Sequence, residues 1–198
     1  QDRTAWDIFP GRNPERDKGH ALCGPIAIRG AQPGMTLAVQ IDVVEPGSWG
    51  WNAGVDWWDT RNEPDSADPV EFFFWDIDVE HRTASNQLGR TVAIGPFIGV
   101  LGVPPNEAGW HSTGPPRIWG GNIDCKELVA GSTLFLPIPA AGALFSVGDG
   151  HARQADGEVS GTAIECPMDR VELTFDLRDD LKLEHLAHNS GGLDYLRL

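Results

Sequence analysis

A chain of 198 residues with 40% hydrophobic side chains is long enough to bury one core, and its length favours one domain over two. With 29 acidic against 15 basic residues it carries a formal charge of −14, which repels nucleic acid and anionic membrane surfaces and leaves a small neutral or cationic ligand as the expected partner. No run of about 20 apolar residues and no basic-then-apolar leader is visible, so a cytoplasmic protein without a membrane partner is expected, while Gln1 in place of methionine points to an earlier start.

The expected elements are strands, because 24 glycines and 15 prolines cut the sequence into short apolar runs bounded by turn residues. After the turn Gln32-Pro33-Gly34, the segment Leu37–Val44 alternates apolar and polar side chains with the period of a half-buried strand. The acidic stretch Asp56–Asp68, which holds the Trp57-Trp58 pair, reads as a surface loop. Further strands are expected at Val70–Val79, Arg90–Ile94, Phe97–Val103, Ser132–Ile138, Ala143–Val147, Glu158–Cys166 and Arg170–Leu177. The pattern is that of a mainly β protein, a single β-sandwich of jelly-roll-like form over residues 1–180, with exposed edges managed by doubling the sheet. Residues 181–198 lack alternation and show only weak helical spacing of Leu183, Leu186 and Leu193, so they read as an atypical tail. Cys23, Cys125 and Cys166 are odd in number and widely spaced, which suits reduced thiols. Trp49, Trp51, Trp57, Trp58, Trp75, Trp110 and Trp119 are more aromatic bulk than a small core needs, and they suit a pocket wall or a subunit interface in a homo-oligomer.

The densest polar cluster is Gly148-Asp149-Gly150-His151-Ala152-Arg153-Gln154-Ala155-Asp156-Gly157-Glu158, delivered to a sheet end by the apolar run Ala143–Val147. In an extended chain Asp149 and His151 share a face, as do Asp156 and Glu158. Carboxylates and an imidazole so placed can bind a divalent metal or act as a general acid/base pair; the bland alternative is two Asp/Gly turns of a hairpin. A second cluster, Gly120-Gly121-Asn122-Ile123-Asp124-Cys125-Lys126-Glu127, offers Asn122 and Asp124 on one face with Ile123 turned to the core, against an ordinary Asx turn. Cys125 beside Lys126 and a carboxylate admits a thiolate nucleophile, although a lone cysteine is more often a small packing residue. His20 and His81 are solitary and join a site only through folding, and Asp76, Asp78 and Glu80 read as the wet face of a strand.

Several runs together resemble the acetamidase/formamidase family: Gly24–Gly34, Pro96–Val103, Gly120–Gly131 with its Gly-Asn-Ile-Asp, and Gly148–Glu165 with its Gly-Asp-Gly-His and Asp-Gly-Glu. The resemblance covers most of residues 20 to 177. It implies a β-rich hydrolase that cleaves the C–N bond of short linear amides to ammonia and a carboxylate, with a divalent metal, zinc before calcium. On that reading Asp124, Asp149 and His151 hold the metal, Glu158 is the general base, and Asn122 orients the substrate or stabilises the oxyanion. Asp156 and Glu165 would support His151 or the base, with Cys125, Lys126 and His20 as alternative contributors. The sequence departs from the family's pattern at Met35, Arg153 and Ala155, and Arg153 bears on substrate preference.

Family members continue for about a further domain's length past the equivalent of Leu177, so the C-terminal part of the family fold is expected to be missing. Common codons for Gly192–Leu198 shifted by one nucleotide can yield a segment resembling the family's, so the tail after about Asp180 is expected to be a frameshift product, in the gene or in its recorded sequence. Three functions compete: a metal-assisted amidase, a cysteine-nucleophile amidase using Cys125, and a non-catalytic sandwich binding carbohydrate or calcium through its tryptophans and Asp/Gly loops. The histidine beside carboxylates favours the first, since calcium loops use oxygen ligands alone.

Overall fold

The computed structural model describes Asn13, residues 19–54, 72–159 and 161–190, and the backbone of 193–195. The expected loop Asp56–Asp68 with its tryptophan pair, and the first two residues of the expected strand Val70–Val79, lie outside the described residues. In chain order the strands are β1 (Leu22–Ile26), β2 (Thr36–Pro46), β3 (Trp49–Ala53), β4 (Phe72–Asp78), β5 (Thr83–Asn86), β6 (Thr91–Ala93) and β7 (Phe97–Gly102), then β8 (Gly120–Asn122), β9 (Thr133–Pro137), β10 (Phe145–Arg153), β11 (Ile164–Glu165), β12 (Met168–Arg178), β13 (Ala187–Ser190) and β14 (Leu193–Tyr195). Among the described residues no helix is long and apolar enough to cross a membrane.

The strands form two antiparallel sheets. The larger runs β6-β5-β4-β3-β11-β10-β7-β8, with β1 also paired to β10, and the smaller runs β12-β2-β9-β13-β14. The expectation of a mainly β sandwich is met. Its main core lies between the sheets: Leu37, Val39, Ile41, Leu134 and Leu136 of the small sheet meet Ile98, Leu101 and Phe145 of the large one. Phe145 stacks edge-on against Phe175 of β12, with ring centroids 5.1 Å apart. The alternation read in Leu37–Val44 holds for Leu37, Val39 and Ile41 and then changes phase, because a bulge opposite β12, where Glu172 pairs with Val43 and Leu173 with Ile41, lets Val44 enter the same core. A second apolar cluster, with Trp75, Ile77, Ala84, Ala152 and Ile164, is built from the large sheet and its connections.

Two expectations about elements are corrected. The strand expected over Glu158–Cys166 is confined to Ile164–Glu165, because the chain makes a tight turn at Asp156–Glu158 in which Gly157 and Glu158 both take positive φ. The tail is not without strand structure: Ala187–Ser190 pairs with β9, His188 opposite Leu134, and Leu186 enters the main core. Four residues are too few for alternation to show.

Leu134 is fully buried at the centre of the small sheet. Replacing it with alanine removes transfer energy and leaves a cavity, so Leu134→Ala should lower unfolding stability by about 2–5 kcal/mol in denaturant titration.

Candidate active site

The site forms where β10 changes partner. Along one side β10 pairs with β7 from Ser146 opposite Gly102 to His151 opposite Phe97, in one register interrupted at Asp149. Along the other it leaves β1 at Gly148, opposite Leu22, and takes up β11 at His151, opposite Glu165. Asp149 occupies the changeover with φ 64°, a left-handed conformation uncommon outside glycine. Its neighbours must be small: a Cβ on Gly150 would lie 2.7 Å from the Cys166 carbonyl, and one on Gly148 would overlap the Ala21 carbonyl. Asp149 and His151 do converge, but through this local reversal and not through the simple alternation expected of an extended chain.

The second half of the site comes from the loop after β8. Asp124 also has positive φ, 48°, and its N–H and that of Ile123 both donate to the Gly99 carbonyl, at 3.2 and 3.0 Å. Gly99 therefore sits beneath both acids, and a Cβ there would lie 2.5 Å from Asp149 Oδ2 and 2.6 Å from Asp124 Oδ1. His151 is 1% exposed and stacks edge-on against Phe97 at 5.0 Å. Its Nε2 lies 3.5 Å from Asp149 Oδ2 and 3.3 Å from Glu165 Oε2. Its Nδ1 lies 3.0 Å from Gln154 Oε1, and Gln154 Nε2 donates to the Asp124 carbonyl at 2.7 Å. His20, anchored through Nδ1 at 2.9 Å from Thr113 Oγ1, brings its Nε2 to 3.9 Å from Asp149 Oδ2.

Donor atoms of Asp124, Asp149 and His151 lie within 4.8 Å of one another, as do those of His151, Glu158 and Glu165. The first set could hold a divalent ion, and the orphaned acceptors agree: Asn122 Oδ1 and Asp124 Oδ1 are buried with no hydrogen-bond partner, and a buried polar atom left so costs about 1–3 kcal/mol. Nitrogen and carboxylate donors together suit zinc better than calcium.

The cluster's electrostatics follow from burying four carboxylates around one imidazole. Burial first, then the charge of Asp149, pushes Asp124 up to about 6. Burial and the charge of Asp124 push Glu158 up to about 7. Burial alone would lower His151, but hydrogen bonds and charge from Asp149 and Glu165 outweigh it and raise the imidazole to about 11. Burial likewise pushes Asp149 upward, yet His151 and then His20 hold it below the ordinary carboxylate range.

Other expected contributors stand apart. The Asp156 side chain is 91% exposed and faces Lys126 Nζ at 2.9 Å, so it does not share a face with Glu158; the turn at Glu158, φ 45°, sends the two carboxylates in different directions. Lys126 is held between Asp156 and Glu127, the latter at 3.1 Å. Cys125 is buried, its Sγ donates to Glu127 Oε2 at 3.4 Å and lies 3.8 Å from His188 Nε2, and burial with the Glu127 carboxylate pushes its thiol up to about 11. That environment opposes a thiolate nucleophile. All three cysteines are free. Arg153 is exposed and Met35 packs against the main core. His81 pairs with Asp78 at 2.8 Å on the surface. Trp75 is a core residue whose Nε1 donates to Asn52 at 2.6 Å, whereas Trp110 is 82% exposed. Sequence reasoning missed Gly99, Phe97 and Gln154: the first two lie in a run read as a strand and as part of the family resemblance but given no role in the site, and Gln154 sits unremarked inside the densest polar cluster.

Two outcomes follow. Gly99→Val should overpack the space beneath both acids and lower unfolding stability by about 1–3 kcal/mol in denaturant titration. In the metal-free protein, Asp124, Glu158 and His151 all have raised values, so each favours the folded state at low pH and loses that contribution as pH rises from its ordinary value through its raised one. The unfolding temperature should therefore fall between roughly pH 5 and pH 8, and a flat or rising profile by calorimetry would contradict these shifts.

Comparison with known proteins agrees with the geometry. The profile of the Acetamidase/Formamidase family matches residues 107–190. A Schizosaccharomyces pombe protein described as a formamidase is 30% identical over 214 residues, 80% of this chain and 51% of that protein. Among solved structures, an acetamidase/formamidase from Thermoanaerobacter tengcongensis superposes with a TM-score of 0.74 at 27% identity, covering 86% of this chain and 55% of that one. An acetamidase from Yersinia enterocolitica gives 0.73 at 27% identity over 87% and 54%. The chain thus spans about half the length of the relatives it matches. The shared sandwich, the profile match over the Asp124 and His151 segments and these relatives together support the acetamidase/formamidase family as the one this chain resembles.

Proposed function

We propose that this cluster hydrolyses the C–N bond of short linear amides of the formamide and acetamide type, with a divalent ion, zinc by the chemistry of the donors, held by Asp124, Asp149 and His151. The observation that carries the reading is the pairing of a mixed nitrogen and oxygen donor set, all within 4.8 Å, with a neighbouring carboxyl, Glu158, poised at about 7. When bound, the ion supplies Lewis acidity, polarising a carbonyl oxygen and acidifying water.

The chain's own residues supply the proton traffic. A carboxyl near neutrality can both take and give a proton at working pH. Glu158 takes a proton from the water whose oxygen bonds to the amide carbon, then gives it to the departing nitrogen as the C–N bond breaks, leaving ammonia and the carboxylic acid. Asn122 offers an unpaired buried Oδ1 as acceptor for the substrate's N–H, which would orient the amide. Glu165 lies 3.3 Å from His151 Nε2, the nitrogen turned toward the ion, and adds negative charge beside it, Phe97 packs edge-on against the ring, and His20 balances charge at Asp149.

The expected measurement is ammonia release from formamide and acetamide by the zinc-loaded chain, abolished by chelation and restored by zinc. Glu158→Gln should lower kcat by about 10²- to 10⁴-fold while bound zinc stays stoichiometric. Amide hydrolysis that survives complete metal removal, or a Glu158→Gln variant of full activity, would overturn the assignment.

A further inference from the structure

Gln154 joins the two halves of the site, and its chemistry is constrained at both ends. The Asp124 carbonyl can only accept a hydrogen bond, so the end of the Gln154 carboxamide 2.7 Å from it must be the NH₂. Flipping the amide would set two carbonyl oxygens against each other. The oxygen end therefore faces His151 Nδ1 at 3.0 Å, and an oxygen can only accept, so Nδ1 must carry a proton. Gln154 is 4% exposed, and water has little access to substitute for either bond.

We infer that Gln154 is a positioning residue that fixes the His151 tautomer with hydrogen on Nδ1, aims Nε2 into the cluster, and at the same time pins the left-handed Asp124 loop. The inference rests on the metal-assisted reading, because its consequence is that two ligands from distant segments, one on β10 and one after β8, are set by a single amide. A hydrogen bond to the far nitrogen of a ligating histidine fixes the ring's orientation and its basicity as a ligand. Asp124 depends on the contact as well, since its positive φ leaves the peptide in a sparsely populated region that surrounding bonds must hold.

Three proteins test it: the parent chain, Gln154→Leu and Gln154→Glu, each with histidine labelled at its ring nitrogens, and with zinc as the probe. In the parent, NMR should show a slowly exchanging proton on His151 Nδ1, with and without zinc. In Gln154→Leu that proton should lose its protection and the zinc dissociation constant should rise about 10- to 100-fold. Gln154→Glu keeps an acceptor for Nδ1 but loses the donor to Asp124, so it should restore the protected proton and recover only part of the zinc affinity. A Gln154→Leu protein with unchanged Nδ1 protection and zinc affinity overturns the inference, as does a parent chain whose Nδ1 carries no protected proton. A parent chain that shows the protected proton but takes up no zinc instead sinks the metal-assisted reading while upholding the tautomer.

Discussion

Everything distinctive about this structure depends on holding Asp124, Asp149, Glu158 and Glu165 around one buried imidazole. Burial raises Asp124 and Glu158 first, and the repulsion between like charges at such spacing, strong once water is excluded, raises them further. The backbone enforces the crowding: Asp124, Asp149 and Glu158 all stand at φ between 45° and 64°, conformations that cost free energy for residues with side chains. Strain of this sort persists only where the surroundings over-determine it. Here Gly99, Gln154 and the paired strands β7, β10 and β11 do so.

The sheet's architecture explains why the site lies where it does. A strand that keeps one partner throughout offers no room for a polar group at its edge, since each N–H and C=O is engaged. β10 changes partner on one side only, so it keeps its register with β7 on both sides of Asp149 while the other edge opens over that residue. The tail strand β13 backs this region from the other sheet, where His188 meets the Cys125 thiol next to Asp124. Cys125 thus reads as a packing contact behind the site, the bland alternative raised for it from sequence.

How much of this was legible in the sequence depends on distance along the chain. The sandwich was readable because segments such as Leu37–Ile41 and Phe97–Gly102 are short, apolar and bounded by turn residues. The bulge near Asp42 was not, since it shows only in the register against the distant strand β12. Within the site, Asp149, His151 and Glu158 announced themselves by local density of polar residues, and the family resemblance raised Asn122 and Asp124 above an ordinary Asx turn. The pairing of Asp156 with Glu158 misled, because a three-residue turn replaced the extended chain that the alternation argument assumes. Gly99 carries no local sign of its role: only the register that sets Ile98 against Gly150 and Val100 against Gly148 brings it under the acids.

The changeover in β10 also governs when the site can come into being during folding. β1 meets β10 through Leu22 and Gly148, and β2 meets β12 through Thr36 and Arg178, so the pairings that frame the cluster close very long loops. Contacts of such separation are entropically expensive and form slowly. While the chain leaves the ribosome, Asp124 emerges well ahead of Asp149 and His151, and Glu165 arrives last, so no nascent fragment short of β11 presents the full set of donors. Assembly of this cluster is then a late event that reports a completed topology, and the nascent chain carries its scattered acids as solvated, separate charges until that closure.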